Sequence, residues 1–221
     1  MYTARIFKGK LMEKSVRTVY AEHESEKVIE RSRFLTYCAH VESEEQARAF
    51  IAQIRSKHTL ATHVCYAFIA DKVGNLQRFS DDGEPQGTAG VPMLEVLKNK
   101  KLFETAVAVV RYFGGVKLGA GGLVRAYSSC VAECLDGADI RSLQVCVEYV
   151  FTVEYTGIDG AQKYIGGAPC TLLDCQYGEK VDLKIAVKKA EEEAFVSAFI
   201  DYMQGKISYR RGGEYYAPFK E

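Results

Sequence analysis

Several absences narrow what this 221-residue sequence encodes. No apolar run approaches the roughly 18 residues that a bilayer-crossing helix needs, so no membrane partner is expected. Met1–Lys10 lacks the apolar stretch of a secretory signal. No Cys-x-x-Cys pair occurs among the seven cysteines, Cys38, Cys65, Cys130, Cys134, Cys146, Cys170 and Cys175. An odd number of scattered thiols with apolar neighbours predicts reduced, buried side chains and a cytoplasmic protein, not a disulfide scaffold. Net charge is also missing, with 29 basic and 29 acidic residues. From Leu143 onward there are nine basic and twelve acidic groups, so neither half is the basic body that binds polyanions indiscriminately. Any role with nucleic acid must rest on a local patch.

What is present reads as an ordinary globular chain, 48% hydrophobic and 26% charged. Residues 1–15 are taken as an amino-terminal extension, with Met12 a second candidate start. Val16–Tyr20 and Lys27–Val41 are β-rich. Ser43, with Gln46 three residues on, predicts a capped helix whose apolar face is Ala47, Phe50, Ile51 and Ile54. Val64–Ala70 and Leu76–Phe79 read as strands, and Ser80–Gly90 as a loop. Pro92 opens a helix burying Met93, Leu94 and Leu97. Ala106–Phe113 is so uniformly apolar that it is placed at the centre of its sheet. Gly114–Gly122 reads as a second glycine-rich loop, followed by a helix over Leu123–Leu135.

Past Ser142 the pattern changes to strand (Leu143–Tyr155), helix (Asp159–Ile165), strand (Thr171–Tyr177), strand (Val181–Val187), helix and strand. The second helix carries Phe195, Val196, Phe199, Ile200 and Met203 on one face, acidic residues in its first turn and Gly205 past its end. This β-α-β-β-α-β order is the ferredoxin-like arrangement. The expectation is an α+β protein of two packed domains, residues 16–142 and 143–221.

Two segments attract chemical attention. In Arg111-Tyr112-Phe113-Gly114-Gly115-Val116-Lys117-Leu118-Gly119-Ala120-Gly121-Gly122-Leu123-Val124-Arg125 a strand passes through glycines into a helix, which aims backbone N–H groups at a place an anion can occupy. Arg111, Lys117 and Arg125 add positive charge. No Gly-Lys-Ser/Thr follows at P-loop spacing, and Val124 stands where a dinucleotide fingerprint needs its third glycine. Close helix–strand packing explains the same glycines equally well. The other segment gathers Asp81, Asp82 and Glu84 around Gly83 and Pro85. A solvated turn, in which Ser80 and Asp81 accept from nearby N–H groups, is favoured there over a magnesium site. His63 and Cys65 share a strand face, but Cys65 reads as a buried small hydrophobe and not as a nucleophile. No Gly-x-Ser-x-Gly elbow occurs, and no complete nucleophile–base–orienter set is visible.

Taken together, Lys27–Phe34 with its Arg31-Ser32-Arg33-Phe34, Ala61-Thr62-His63, Ser80–Pro92 and Val110–Tyr127 resemble the IMPACT family, in its bacterial two-domain, YigZ-type form. The resemblance implies a first domain like the ribosomal-protein-S5-like fold of domain IV of elongation factor G, and a ferredoxin-like second domain like that factor's domain V. It implies a translation-linked regulator with RNA or the ribosome as partner, and no DNA specificity. It transfers no catalytic residue, metal or cofactor. The functional surface it implies comprises Asp81, Asp82, Gly83, Glu84, Pro85, Arg111, Tyr112, Gly114, Gly115, Lys117, Gly119, Gly121, Gly122 and Arg125. The competing expectation is an enzyme or small-anion binder that uses the glycine-rich loop 114–122 and the acidic loop 80–85. Which RNA or substrate is involved, and in what oligomeric state, the sequence leaves open.

Overall fold

A computed structural model describes residues 15–220. Within them the chain divides into two compact units, Val16–Ser142 and Leu143–Phe219. The fold is α+β, and the expected amino-terminal extension falls, apart from Ser15, outside the described residues.

The first unit holds strands β1 (Val16–Val19), β2 (His23–Ile29), β3 (Ser32–His40), β4 (His63–Ile69), β5 (Gln77–Ser80) and β6 (Thr105–Tyr112), with helices α1 (Glu44–Lys57), α2 (Gly90–Asn99) and α3 (Gly119–Gly137). Five strands form one antiparallel sheet in the order β2-β3-β6-β4-β5. The β-rich run after Lys27 is thus split, because Glu30 and Arg31 both take positive φ and turn β2 back into β3. Side chains alternate across the sheet, so each face buries its own core. On one face α1 packs Ala47, Phe50, Ile51 and Ile54 against Tyr37, Val64, Phe68, Ala106, Ala108 and Val110. On the other, α2 and α3 cover Phe34, Cys38, Cys65, Ala67, Val107 and Val109. The continuous apolar stretch of β6 follows directly: it is the middle strand, buried on both sides.

The cap of α1 forms as its sequence predicts. The Gln46 N–H donates to Ser43 Oγ at 3.2 Å, while Gln46 Oε1 accepts from the Glu42 N–H at 2.8 Å, one residue before the usual target. One correction concerns α3. It begins at Gly119, not Leu123, so Gly121 and Gly122 lie in its first turn and the open loop is limited to residues 113–118. A helix starting on glycines defeats propensity reasoning. Here the buried face of Leu123, Ala126, Tyr127, Cys130, Val131 and Cys134 holds the helix and outweighs a costly first turn.

The second unit comprises β7 (Ile140–Val153), α4 (Ile158–Gly167), β8 (Cys170–Tyr177), β9 (Val181–Lys188), α5 (Glu192–Tyr202) and β10 (Ile207–Lys220). Its sheet order β10-β7-β9-β8 is ferredoxin-like. Both helices cover one face, where Phe151 meets Phe199 edge-on at 4.9 Å and Tyr164 stacks on Phe199 at 4.9 Å. Among the described residues no helix is long and apolar enough to cross a membrane.

Candidate functional site: a clamped acidic turn beside an open basic loop

Register builds the site. Phe34 of β3, Arg111 of β6 and His63 of β4 stand directly opposite one another across three strands, at the end of the sheet where β6 leaves for α3. Arg111 shares its face with Val107 and Val109, and that parity points it inward under α3. A guanidinium there must find partners, because burial of an unpaired charge is prohibitive.

Its partners come from the acidic turn. Arg111 Nη1 donates to Glu84 Oε1 at 2.7 Å, and the Tyr127 hydroxyl of α3 donates to the same oxygen at 2.7 Å. Arg111 Nη2 donates to Ser32 Oγ at 3.1 Å, leaving only Nε without a partner. The guanidinium lies between two rings, 5.3 Å from the Phe34 centroid and 5.4 Å from that of Phe113. His63 Nε2 stands 3.9 Å from Glu84 Oε2, and His63 Nδ1 hydrogen-bonds the Asp82 carbonyl at 2.8 Å. That carbonyl only accepts, so Nδ1 carries the proton.

The other two carboxylates are equally occupied. Asp81 accepts from the N–H groups of Gly87 (2.8 Å), Ala89 (3.0 Å) and Gly90 (2.8 Å), which makes it the cap of α2. Asp82 takes Arg55 at 2.6 Å and the Val64 N–H at 2.6 Å. Burial pushes the Asp82 carboxyl upward, but those two bonds outweigh it and hold the group below the usual carboxylate range. Asp82 and Gly83 have positive φ, so the turn folds its acids inward.

One expectation is therefore corrected. Arg111 and Glu84 do not line an open surface: they form a buried pair, and Asp82 is paired with Arg55. Among the described residues no three His, Cys, Asp or Glu side chains are grouped to hold a metal ion. The Cys65 thiol donates a hydrogen bond to the Asp81 carbonyl at 3.0 Å, and burial pushes its thiol up to about 12, the reverse of a nucleophile's tuning.

The glycine-rich loop behaves differently. Its start is pinned at Gly114: a Cβ there would stand 1.8 Å from the Arg31 carbonyl oxygen, so the β2–β3 turn packs on bare backbone. Beyond it Gly115 and Gly119 have positive φ with open space around them. No side chain caps α3, and no acidic residue sits in its first turn. Lys117 and Arg125 are exposed, as is Arg31 across the turn, and none of the three has an ion-pair partner among the described residues. Arg125 Nη1 lies 3.8 Å from where a Cβ on Gly121 would be, over the helix start.

Sequence reasoning missed Ser32, Thr62, His63, Phe113 and Tyr127 as members of this assembly. A signal existed for Arg111, which keeps the inward parity of an otherwise apolar strand, and for His63, which faces it by register once β4 and β6 are paired.

An antiparallel sheet covered on both faces, a ferredoxin-like second unit and a buried acid–base clamp beside a basic loop define a two-domain α+β protein. The comparisons place it further: the chain belongs to the IMPACT family. The Impact N-terminal domain matches residues 30–135, and a domain of unknown function, DUF1949, matches residues 151–206. IMPACT family member YvyE of Bacillus subtilis is 38% identical over 195 residues, covering 88% of this chain and 90% of that protein. IMPACT family member YigZ of Escherichia coli is 36% identical over 181 residues, covering 81% and 89%. A crystal structure described as that of a hypothetical protein superposes with a TM-score of 0.59 at 34% identity, covering 90% of this chain and 97% of the other. Membership supports a translation-related regulatory role at the level of the family.

Proposed function

We propose that this protein regulates translation by binding RNA, on or off the ribosome, through the loop from Phe113 to Gly122 and the start of α3. The observation that carries the reading is the contrast in charge pairing. Arg33, Arg55, Lys27 and Arg111 all have carboxylate partners, whereas Arg31, Lys117 and Arg125, gathered about this loop, have none among the described residues. Unpaired cations beside an uncapped helix start form the local patch that a neutral chain needs to meet phosphate. The enzyme reading loses its reagents, because Asp81, Asp82, Glu84 and Cys65 are all engaged in holding the turn together.

Sedimentation with ribosomes and anisotropy with fluorescein-labelled RNA, each at low and moderate salt, test this. The expected result is association that weakens with salt, with a slope of about 0.7 per neutralised phosphate for single strands. Absence of association with both at low salt would overturn the proposal.

A further inference from the structure

The ring of Phe113 is 46% exposed, yet it is not loosely hung. Its own N–H donates to Thr62 Oγ1 at 3.1 Å, and the next N–H, of Gly114, donates to Ser32 Oγ at 3.3 Å. One side of the ring covers the Arg111 guanidinium, whose own position is fixed by Glu84 and Ser32 and backed by Phe34. The backbone on both sides of the residue is anchored, and one face is supported by a buried cation. Nearly half of the residue stays in solvent, with the exposed side chains of Arg31, Lys117 and Arg125 around the same loop.

From this, and resting on the RNA-binding reading above, we infer that Phe113 is a stacking platform for an unpaired base, so that the site takes single-stranded RNA in preference to duplex. The chemistry is that of base–aromatic stacking combined with phosphate neutralisation. A base in a duplex has both faces occupied by its neighbours and gains nothing from the ring, whereas an unstacked base gains a π contact without sequence preference. The buried Arg111–Glu84 pair acquires a purpose in this picture: it acts as a positioning pair that holds the platform and does not touch the RNA.

The test uses the full chain, a fluorescein-labelled ten-nucleotide oligoadenylate and an RNA duplex of similar length. F113L keeps an apolar cover over Arg111 but removes the ring. F113W keeps a ring and, because the chain has no tryptophan, introduces a sole indole reporter. The expected result is that F113L loses roughly 5- to 150-fold in affinity for the single strand and little for the duplex, a range set by stacking energies. F113W retains binding, and its indole emission is quenched by oligoadenylate. Wild-type affinity in F113L, or unchanged emission from F113W at saturating oligoadenylate, would overturn the platform. If single-strand affinity then still falls in the Lys117→Ala, Arg125→Ala double variant, phosphate binding stands without stacking. No binding of either RNA by the wild-type chain would overturn both inferences.

Discussion

The two glycine-containing segments of the first unit look alike in sequence, both without periodicity, each leading into a helix. In the fold they are opposites. The turn from Ser80 to Gly90 directs its carboxylates inward, where Asp81 accepts three N–H groups and Glu84 accepts an arginine and a tyrosine. The loop from Phe113 to Leu118 is tied at Phe113 and Gly114 and leaves its cations unpaired. Acidic groups here secure the structure, and the basic groups of the second segment have no ion-pair partner among the described residues. Composition alone does not separate the two roles; satisfaction of hydrogen bonds does.

The largest effect should come from breaking the clamp. Glu84→Ala strands the Arg111 guanidinium and the Tyr127 hydroxyl in the core, and removing one member of a buried pair costs roughly 3–5 kcal/mol. Hydrogen exchange of the β6 amides under added urea should show it for this unit alone. Arg111→Ala should cost a similar amount, and the double variant much less than the sum, because the two losses are one interaction. Additive costs would mean that the pair is not coupled, and the turn would then be no more than a surface loop.

Next in size is Asp81→Ala, which removes the acceptor of three N–H groups at the entry to α2. Loss of a helix cap costs about 1–2 kcal/mol. Asp81→Asn, which keeps one acceptor oxygen, should recover part of it in the same exchange experiment. Full stability in Asp81→Ala would show that water replaces the carboxylate.

A smaller effect depends on pH and belongs to neither segment. His58 sits between the hydroxyls of Tyr37 (2.8 Å) and Tyr112 (2.9 Å). Burial, with Arg33 and Lys57 nearby, holds its imidazole below the ordinary histidine value. A folded value below the unfolded one of about 6.5 means that the unfolded chain binds the proton more tightly. The stabilisation is therefore complete above about pH 6.5 and is lost as pH falls from there through the folded value. Because the ring is only partly buried, the loss should be small. Melting temperatures between pH 8 and 5 should decline slightly more steeply for wild type than for His58→Gln. Parallel profiles would remove His58 as a contributor.

Much of this architecture was legible beforehand, and the failures share a cause. Ser43 with Gln46, the face of Ala47, Phe50, Ile51 and Ile54, and the central position of β6 are signals within one element, and they led to the right structure. Propensity misplaced the start of α3, because four residues poor in side chains open a helix that tertiary packing holds. Glu84 and Arg111 are 27 residues apart, and no local pattern announces that a loop carboxylate will fold over a strand end. Counting Arg111 among surface cations followed charge and ignored parity: Val107, Val109 and Arg111 share one face of one strand. Long-range polar pairing is the part of a site that one sequence hides best.

The smallest structural effect should accompany the most informative functional one. Lys117 and Arg125 touch no carboxylate among the described residues, so replacing both by alanine removes charge and breaks no native ion pair. Surface substitutions of that kind stay within about 0.5 kcal/mol, and the melting temperature should hardly move. If the loop meets RNA, affinity for oligoadenylate should fall, and the slope of log affinity against log salt should flatten by about 0.7 for each phosphate no longer neutralised. That pairing of unchanged stability with a flatter slope is the opposite of what Glu84→Ala should give, where stability falls first and binding only as a consequence. A double variant that binds with wild-type affinity and slope would assign the unpaired cations no ligand and leave the glycines to packing alone. A double variant that melts early would show that the loop carries structural load after all, and the contrast between the two segments would dissolve.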